Sequence, residues 1–124
     1  MDARRAQRVS EALREELAEL IGYELQDPRL APVTVTGVHL SPDGRHARVI
    51  VLLPDEPEEH RQALAALDHA SRYLRREVAG RLRLFRAPEL HFEEDAAGAG
   101  EGRIEELLRR VRKAREKESG PVSQ

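Results

Sequence analysis

Apolar residues between positions 4 and 25 fall at Val9, Ala12, Leu13, Leu17, Leu20, Ile21 and Leu25. Steps of three and four gather them into one stripe of a helix. Arg8, Glu11, Arg14, Glu15 and Glu19 occupy the other faces. Asp27-Pro28 predicts the end, because the residue before proline is pushed out of helical torsions. Residues 33–40 (VTVTGVHL) are rich in β-branched side chains and predict a strand. Val33 and Val35 have one parity and Val38 and Leu40 the other, so a bulge is expected near Gly37. Ser41-Pro42-Asp43-Gly44 predicts a turn. Residues 46–53 follow as a second strand, with Ala47, Val49, Val51 and Leu53 alternating and Arg48 on the opposite parity with Ile50 and Leu52. The two strands should pair as an antiparallel hairpin.

After an acidic loop at 54–59, Leu64, Leu67, Ser71, Leu74, Val78 and Leu82 restore the helical period. This predicts one helix over about residues 58–82, with Gly80 a weak point near its end. Pro88 precedes a short strand at 89–93. The run DAAGAGEG at 95–102 reads as a mobile linker. Ile104, Leu107, Leu108 and Val111 predict a short amphipathic helix, and residues 113–124 a polar, disordered tail. The organisation is a domain over residues 1–95 followed by a linker, helix and tail over 96–124.

Composition removes several classes of function. There is no cysteine, hence no disulfide, thiol catalysis or cysteine-held metal. No stretch approaches the roughly 20 apolar residues of a membrane span. The charged first residues, with no apolar run behind them, predict no secretory signal. The five histidines form no HExxH or comparable metal signature. His91 and Glu93 share a parity and are the nearest approach to a ligand or acid–base pair, a thin basis for a hydrolase. Gly98 to Gly102 lack the Lys-Ser/Thr ending of a phosphate loop, and no serine has a nucleophile-elbow context. An enzyme is not expected.

The net charge of −2 argues mildly against a nucleic-acid partner, but its distribution argues for one. Between positions 72 and 86 stand Arg72, Arg75, Arg76, Arg81, Arg83 and Arg86 with Glu77 as the single acid. At about 100° per residue, a continuous helix would bring Arg72, Arg76 and Arg83 within about 40° of one another, with Arg75 flanking. Arginine's planar fork suits phosphate. Such contacts give affinity and salt dependence rather than sequence reading. With four large aromatics, Tyr23, Tyr73, Phe85 and Phe92, base stacking should not be the main mode. Arg45 and Arg48 are candidates for rim contacts, and the basic tail helix is a further one. A protein–protein or dimerisation module built on the amphipathic first and last helices is the alternative reading.

Five segments together resemble the ribosome-binding factor A family. They are Arg8-Val9 with the ending Leu25-Gln26-Asp27-Pro28-Arg29-Leu30, Val33-Thr34-Val35-Thr36 with Ser41-Pro42-Asp43, and His46-Ala47-Arg48-Val49. Ala70 through Leu74-Arg75-Arg76 with Arg81-Leu82-Arg83-Leu84 is the fourth. Ala87-Pro88-Glu89-Leu90-His91-Phe92, with Asp95 and Arg103-Ile104, is the fifth. The resemblance implies an α+β, type II KH-like domain in the order α-β-β-α-(kink)-α-β, with a C-terminal helix and tail. It implies a kink in the second helix at an Ala-x-Gly sequence. Here those positions are Ala70, Ser71 and Arg72, so the glycine is absent. It further implies a cytoplasmic, non-enzymatic assembly factor. Such a factor binds the small (30S) ribosomal subunit during late maturation, assists processing of its 16S rRNA and is linked to growth in the cold. A maturation GTPase is associated with release in this family, and a monomer with no cofactor is expected. The RNA-binding residues expected on this basis are Arg72, Arg75, Arg76, Arg83, Arg86, Arg45 and Arg48.

Overall fold

In the computed structural model, which describes residues 2–95 together with 108, 111 and 112, the first apolar stripe forms α1, Ala3–Glu19. The Asp2 carboxylate caps it by accepting the Arg5 backbone N–H at 2.9 Å. The helix then widens into a π-helical turn, Leu20–Glu24, closed by the Leu25 N–H donating to the Leu20 carbonyl at 2.8 Å. Leu13, Leu17, Leu20 and Ile21 are buried along this stretch. Asp27 caps a 3-10 turn, Pro28–Leu30, accepting the Arg29 N–H at 3.0 Å, and Leu30 drops into the core.

Strands β1 (Thr34–Leu40) and β2 (His46–Leu52) form the expected antiparallel hairpin. In its turn the Gly44 N–H donates to the Ser41 carbonyl at 2.9 Å, and Gly44 takes a φ of 75°, which glycine adopts without steric cost. The bulge is present. Val35 pairs with Val51 and Gly37 with Ile50, leaving Thr36 as the extra residue. The Thr36 hydroxyl lies 3.2 Å from the Ile50 carbonyl and 3.0 Å from an Asp95 carboxylate oxygen. Strand β3 (Glu89–Glu94) runs parallel to β2, so the sheet order is β1-β2-β3.

A parallel pair needs a crossover, and α2, Pro57–Arg81, supplies it. Pro57 occupies the first turn, where its missing N–H costs nothing, and Glu56 accepts the N–H groups of Glu58 and Glu59. Its buried face is Ala63, Ala66, Leu67, Leu74 and Val78. Leu64, placed on the stripe by the sequence pattern, is 39 % exposed, and the two alanines take the space instead. Helix α1 lies against β1, and α2 lies against β3 and the 3-10 turn. Both helices thus cover the sheet face that carries Ala47, Val49, Val51 and Leu90. The core is aliphatic throughout. No helix among the described residues is long and apolar enough to cross a membrane.

This is the expected α+β, type II KH-like arrangement. Ala70, Ser71 and Arg72, where the kink is expected, are all helical and lie within a single helix of 25 residues. Arg72 stands where a glycine would weaken the helix, and arginine is among the better helix formers. The linker expected over 95–102 and the tail helix lie outside the described residues, apart from Asp95 and the helical, exposed Leu108, Val111 and Arg112.

The end of α2 is tied to the π turn. Arg81 donates to both carboxylate oxygens of Glu24, at 2.7 and 2.6 Å, and also reaches Glu77 at 3.2 Å and Glu16 at 3.4 Å. The Arg81 hydrogen bonds hold the Glu24 carboxyl below the usual carboxylate range. A carboxylate with a depressed folded-state pKa contributes stability that is present above its unfolded value and lost as pH falls through the folded one. The cluster therefore contributes at neutral pH and releases on acidification.

Two outcomes follow from this packing. Arg81→Gln should lower Tm at about pH 7, and its difference from wild type should shrink as pH is taken below about 4, as followed by thermal circular dichroism. The Thr34 hydroxyl is buried and has no hydrogen-bond partner among the described residues. Thr34→Val removes that unsatisfied group and should raise the unfolding free energy by about 1 kcal/mol in urea titration.

Candidate nucleic-acid interface

Seven arginines are the candidates, and the fold sorts them by what their guanidinium groups already hold. Arg72 and Arg76 stand on the solvent side of α2, opposite Leu67, Leu74 and Val78. Both are exposed, and among the described residues neither has a hydrogen-bond or ion-pair partner. One turn separates them along the helix, so their charges lie side by side. Arg75 stands on the flank of that face and is half-buried. Its guanidinium donates to the Pro88 carbonyl at 3.1 Å and the Ala87 carbonyl at 3.3 Å, fastening the entry to β3 onto α2. Two backbone acceptors are satisfied there, and Arg75 is a structural tie in this arrangement.

Arg83 does not continue the face of Arg72 and Arg76, because α2 ends at Arg81. The chain leaves through a Schellman turn: the Leu84 N–H donates to the Ala79 carbonyl at 2.9 Å and the Arg83 N–H to the Gly80 carbonyl at 3.3 Å. Arg83 takes the left-handed position of that turn, with φ at 52°, and is the one non-glycine residue with positive φ among those described. Glycine is the low-cost residue there, and a side chain adds about 1–2 kcal/mol of strain. Leu82 and Leu84 pack against the core on either side, so Arg83 is turned outward. Arg86 follows in the exposed loop, and Arg45 faces it from the β1–β2 turn: these residues line one groove. Asp43 is the acid of that groove. Its carboxylate accepts the Ser41 hydroxyl at 2.6 Å and the Arg45 N–H at 3.0 Å, which keeps it below the usual carboxylate range.

Arg48 lies elsewhere. It projects from the face of the sheet that the helices leave uncovered, where it makes two hydrogen bonds to Glu93, at 2.8 and 3.0 Å. The pair holds Glu93 below the usual carboxylate range, chiefly through those bonds. Both carboxylate oxygens of Glu93 are engaged by Arg48, and His91 acts on it only as a weaker electrostatic neighbour. His91 instead meets His46 on the neighbouring strand, with Nε2 of one 3.0 Å from Nδ1 of the other, and Glu89 lies 3.8 Å from that Nδ1. These are the described residues whose donor atoms could close on one cation, and all three are exposed, so water competes at every donor. The sequence pattern had no means of bringing His46 to His91, because the parallel β2–β3 pairing is a property of the crossover.

Sequence comparison places these features in a known set. The family model described as ribosome-binding factor A matches residues 5–108. The ribosome-binding factor A of Solibacter usitatus is 49 % identical over 123 residues, spanning 99 % of this chain and 100 % of that protein. That of Thermomicrobium roseum is 40 % identical over 122 residues, covering 98 % and 95 %. Among solved structures, the crystal structure of ribosome-binding factor A from Thermus thermophilus superposes with a TM-score of 0.64 at 39 % identity, covering 72 % of this chain and 94 % of that one. A homology model of Thermus thermophilus ribosome-binding factor A, fitted into an electron cryomicroscopy map of its complex with the 30S subunit, matches at 0.59 and 35 %, covering 80 % and 100 %.

The backbone strain at the end of α2 has a measurable size. Arg83→Gly should stabilise the fold by about 1 kcal/mol in urea titration, whereas a substitution that merely removed a useful charge would leave stability unchanged.

Proposed function

Because this chain belongs to the ribosome-binding factor A family, we propose that it binds the small (30S) ribosomal subunit late in assembly and assists 16S rRNA maturation. It does so by binding, without catalysing a reaction. The observation that carries this reading is the pair of exposed, unpartnered arginines, Arg72 and Arg76, on a rigid helix. Arg83, Arg86 and Arg45 form a second cationic cluster beyond the end of that helix. Arg75 and Arg48 would contribute only by giving up their present partners, so their share is smaller.

Guanidinium groups fixed on a helix and a tight turn match phosphate positions in folded RNA. Recognition then depends on RNA shape, with few base-edge contacts. A protein of this kind stabilises the RNA conformation that presents phosphates at the matching spacing, and so shifts the population toward it. Growth in the cold fits the same logic, since misfolded RNA escapes more slowly there. Release by a maturation GTPase needs only that the RNA or subunit conformation change and the phosphates leave register. A cytoplasmic monomer suffices for this role.

Arg72→Glu combined with Arg76→Glu is expected to weaken co-sedimentation with purified small subunits by at least roughly tenfold and to flatten its salt dependence. Its unfolding curve should match wild type. Unchanged binding by the double variant, or a salt-insensitive dimer with no affinity for small subunits, would remove the proposal.

A further inference from the structure

Phe85 is 101 % exposed, the most exposed of the large apolar side chains described. Burying a phenylalanine gains roughly 1.5–3 kcal/mol, and the fold leaves this one wholly in water. Its neighbours make the position informative. Leu82 and Leu84 turn inward and pack against the core, so the strained turn at Arg83 holds Arg83, Phe85 and Arg86 outward together.

These residues border a groove of about 480 Å³ between the α2–β3 connection, the β1–β2 turn and the start of α1. Arg5, Arg45, Arg83 and Arg86 line it, against Asp43 as its acid. Its apolar side includes Val9, Leu82 and Leu84. The Asp43 carboxylate is already engaged by Ser41 and Arg45. The groove therefore combines a cationic rim, an apolar wall and one free aromatic ring. A phosphodiester with a flat, apolar-faced base attached has the complementary pattern. Base–aromatic stacking tolerates any base because every base presents a π-face. A base already stacked within an A-form helix cannot offer that face to a side chain, whereas a base in a loop, bulge or end can.

We infer that this groove takes one unpaired ribonucleotide, its base stacked on Phe85 and its flanking phosphates held by Arg83, Arg86 and Arg45. The inference rests on the RNA-binding reading above and adds to it a distinction between single-stranded and duplex RNA, which arginine–phosphate contacts alone do not make.

The test measures equilibrium binding of the full chain and of Phe85→Ala and Phe85→Trp. The targets are purified small subunits, a fluorescein-labelled unstructured RNA oligonucleotide and a duplex of the same length. Phe85→Ala is expected to lose roughly tenfold or more in affinity for subunits and for the single strand. Its salt slope should be unchanged, because no phosphate contact is removed. Phe85→Trp should retain binding, and the unfolding curves of all three proteins should coincide. Binding of Phe85→Ala within twofold of wild type, or wild-type affinity for duplex equal to that for single strand, overturns the nucleotide site. If that occurs while the Arg72/Arg76 double variant still weakens subunit binding, the assembly-factor reading stands without it. If the wild-type chain binds neither subunits nor single strand, both fall.

Discussion

One face of a three-stranded sheet is buried by aliphatic side chains alone, and most of the molecule follows from that constraint. Ala47, Val49 and Val51 form its centre, with Leu13 and Leu17 brought by α1 and Leu67, Leu74 and Val78 by α2. No tyrosine or phenylalanine is fully buried. Small and branched aliphatics allow the helices to lie close to the sheet, and the interior then has no room for long polar side chains. The arginines are forced to the periphery, where each must find a carboxylate, a carbonyl or an outside partner.

A chain with a net charge of −2 can therefore still present a cationic surface. Many of its acids are paired locally. Glu24, Glu16 and Glu77 converge on Arg81, Glu93 holds Arg48, Asp27 holds Arg29, and Glu11 holds Arg14. Exposed pairs of this sort contribute little to stability. Their larger effect is to decide which guanidinium groups have a counter-charge in place. Arg72, Arg76, Arg83 and Arg86 are among the arginines left without such a carboxylate partner among the described residues. Overall charge is a poor guide here because it sums over groups that neutralise one another within a few ångströms.

The parts legible in the sequence were those set by local periodicity. The stripe of α1, the β-branched alternation of β2 and the parity change at Gly37 are each present in the fold as a helix, a strand and a bulge. The KH-like order followed from the family resemblance together with those elements. The rest depended on contacts between distant segments. Nothing local indicates that Arg75 will find the carbonyls of Ala87 and Pro88, or that Arg48 will choose Glu93, since both pairings require β3 to return alongside β2. The kink at Ala70, Ser71 and Arg72 is an expectation of the resemblance alone, since helical periodicity runs through these positions and this chain lacks the glycine. Periodicity extends the helix face to Arg83 because it does not register a helix end when the residue in the left-handed position is not glycine. The one local sign of Phe85's exposure is its place in Arg83-Leu84-Phe85-Arg86, an aromatic between two arginines.

The bulge at Thr36 bears on how this chain can change in length. Within a strand that is buried on one side, adding or removing a residue exchanges the inward and outward sets beyond that point, and the core is lost. Thr36 is the extra residue in β1, opposite no partner of its own. Without it, Val33, Val35, Val38 and Leu40 would alternate regularly, with the same side chains facing the helices as now. Position 36 is thus a site in the strand where a one-residue deletion preserves the packing. What such a deletion gives up is the hydroxyl that sits between the Ile50 carbonyl and Asp95.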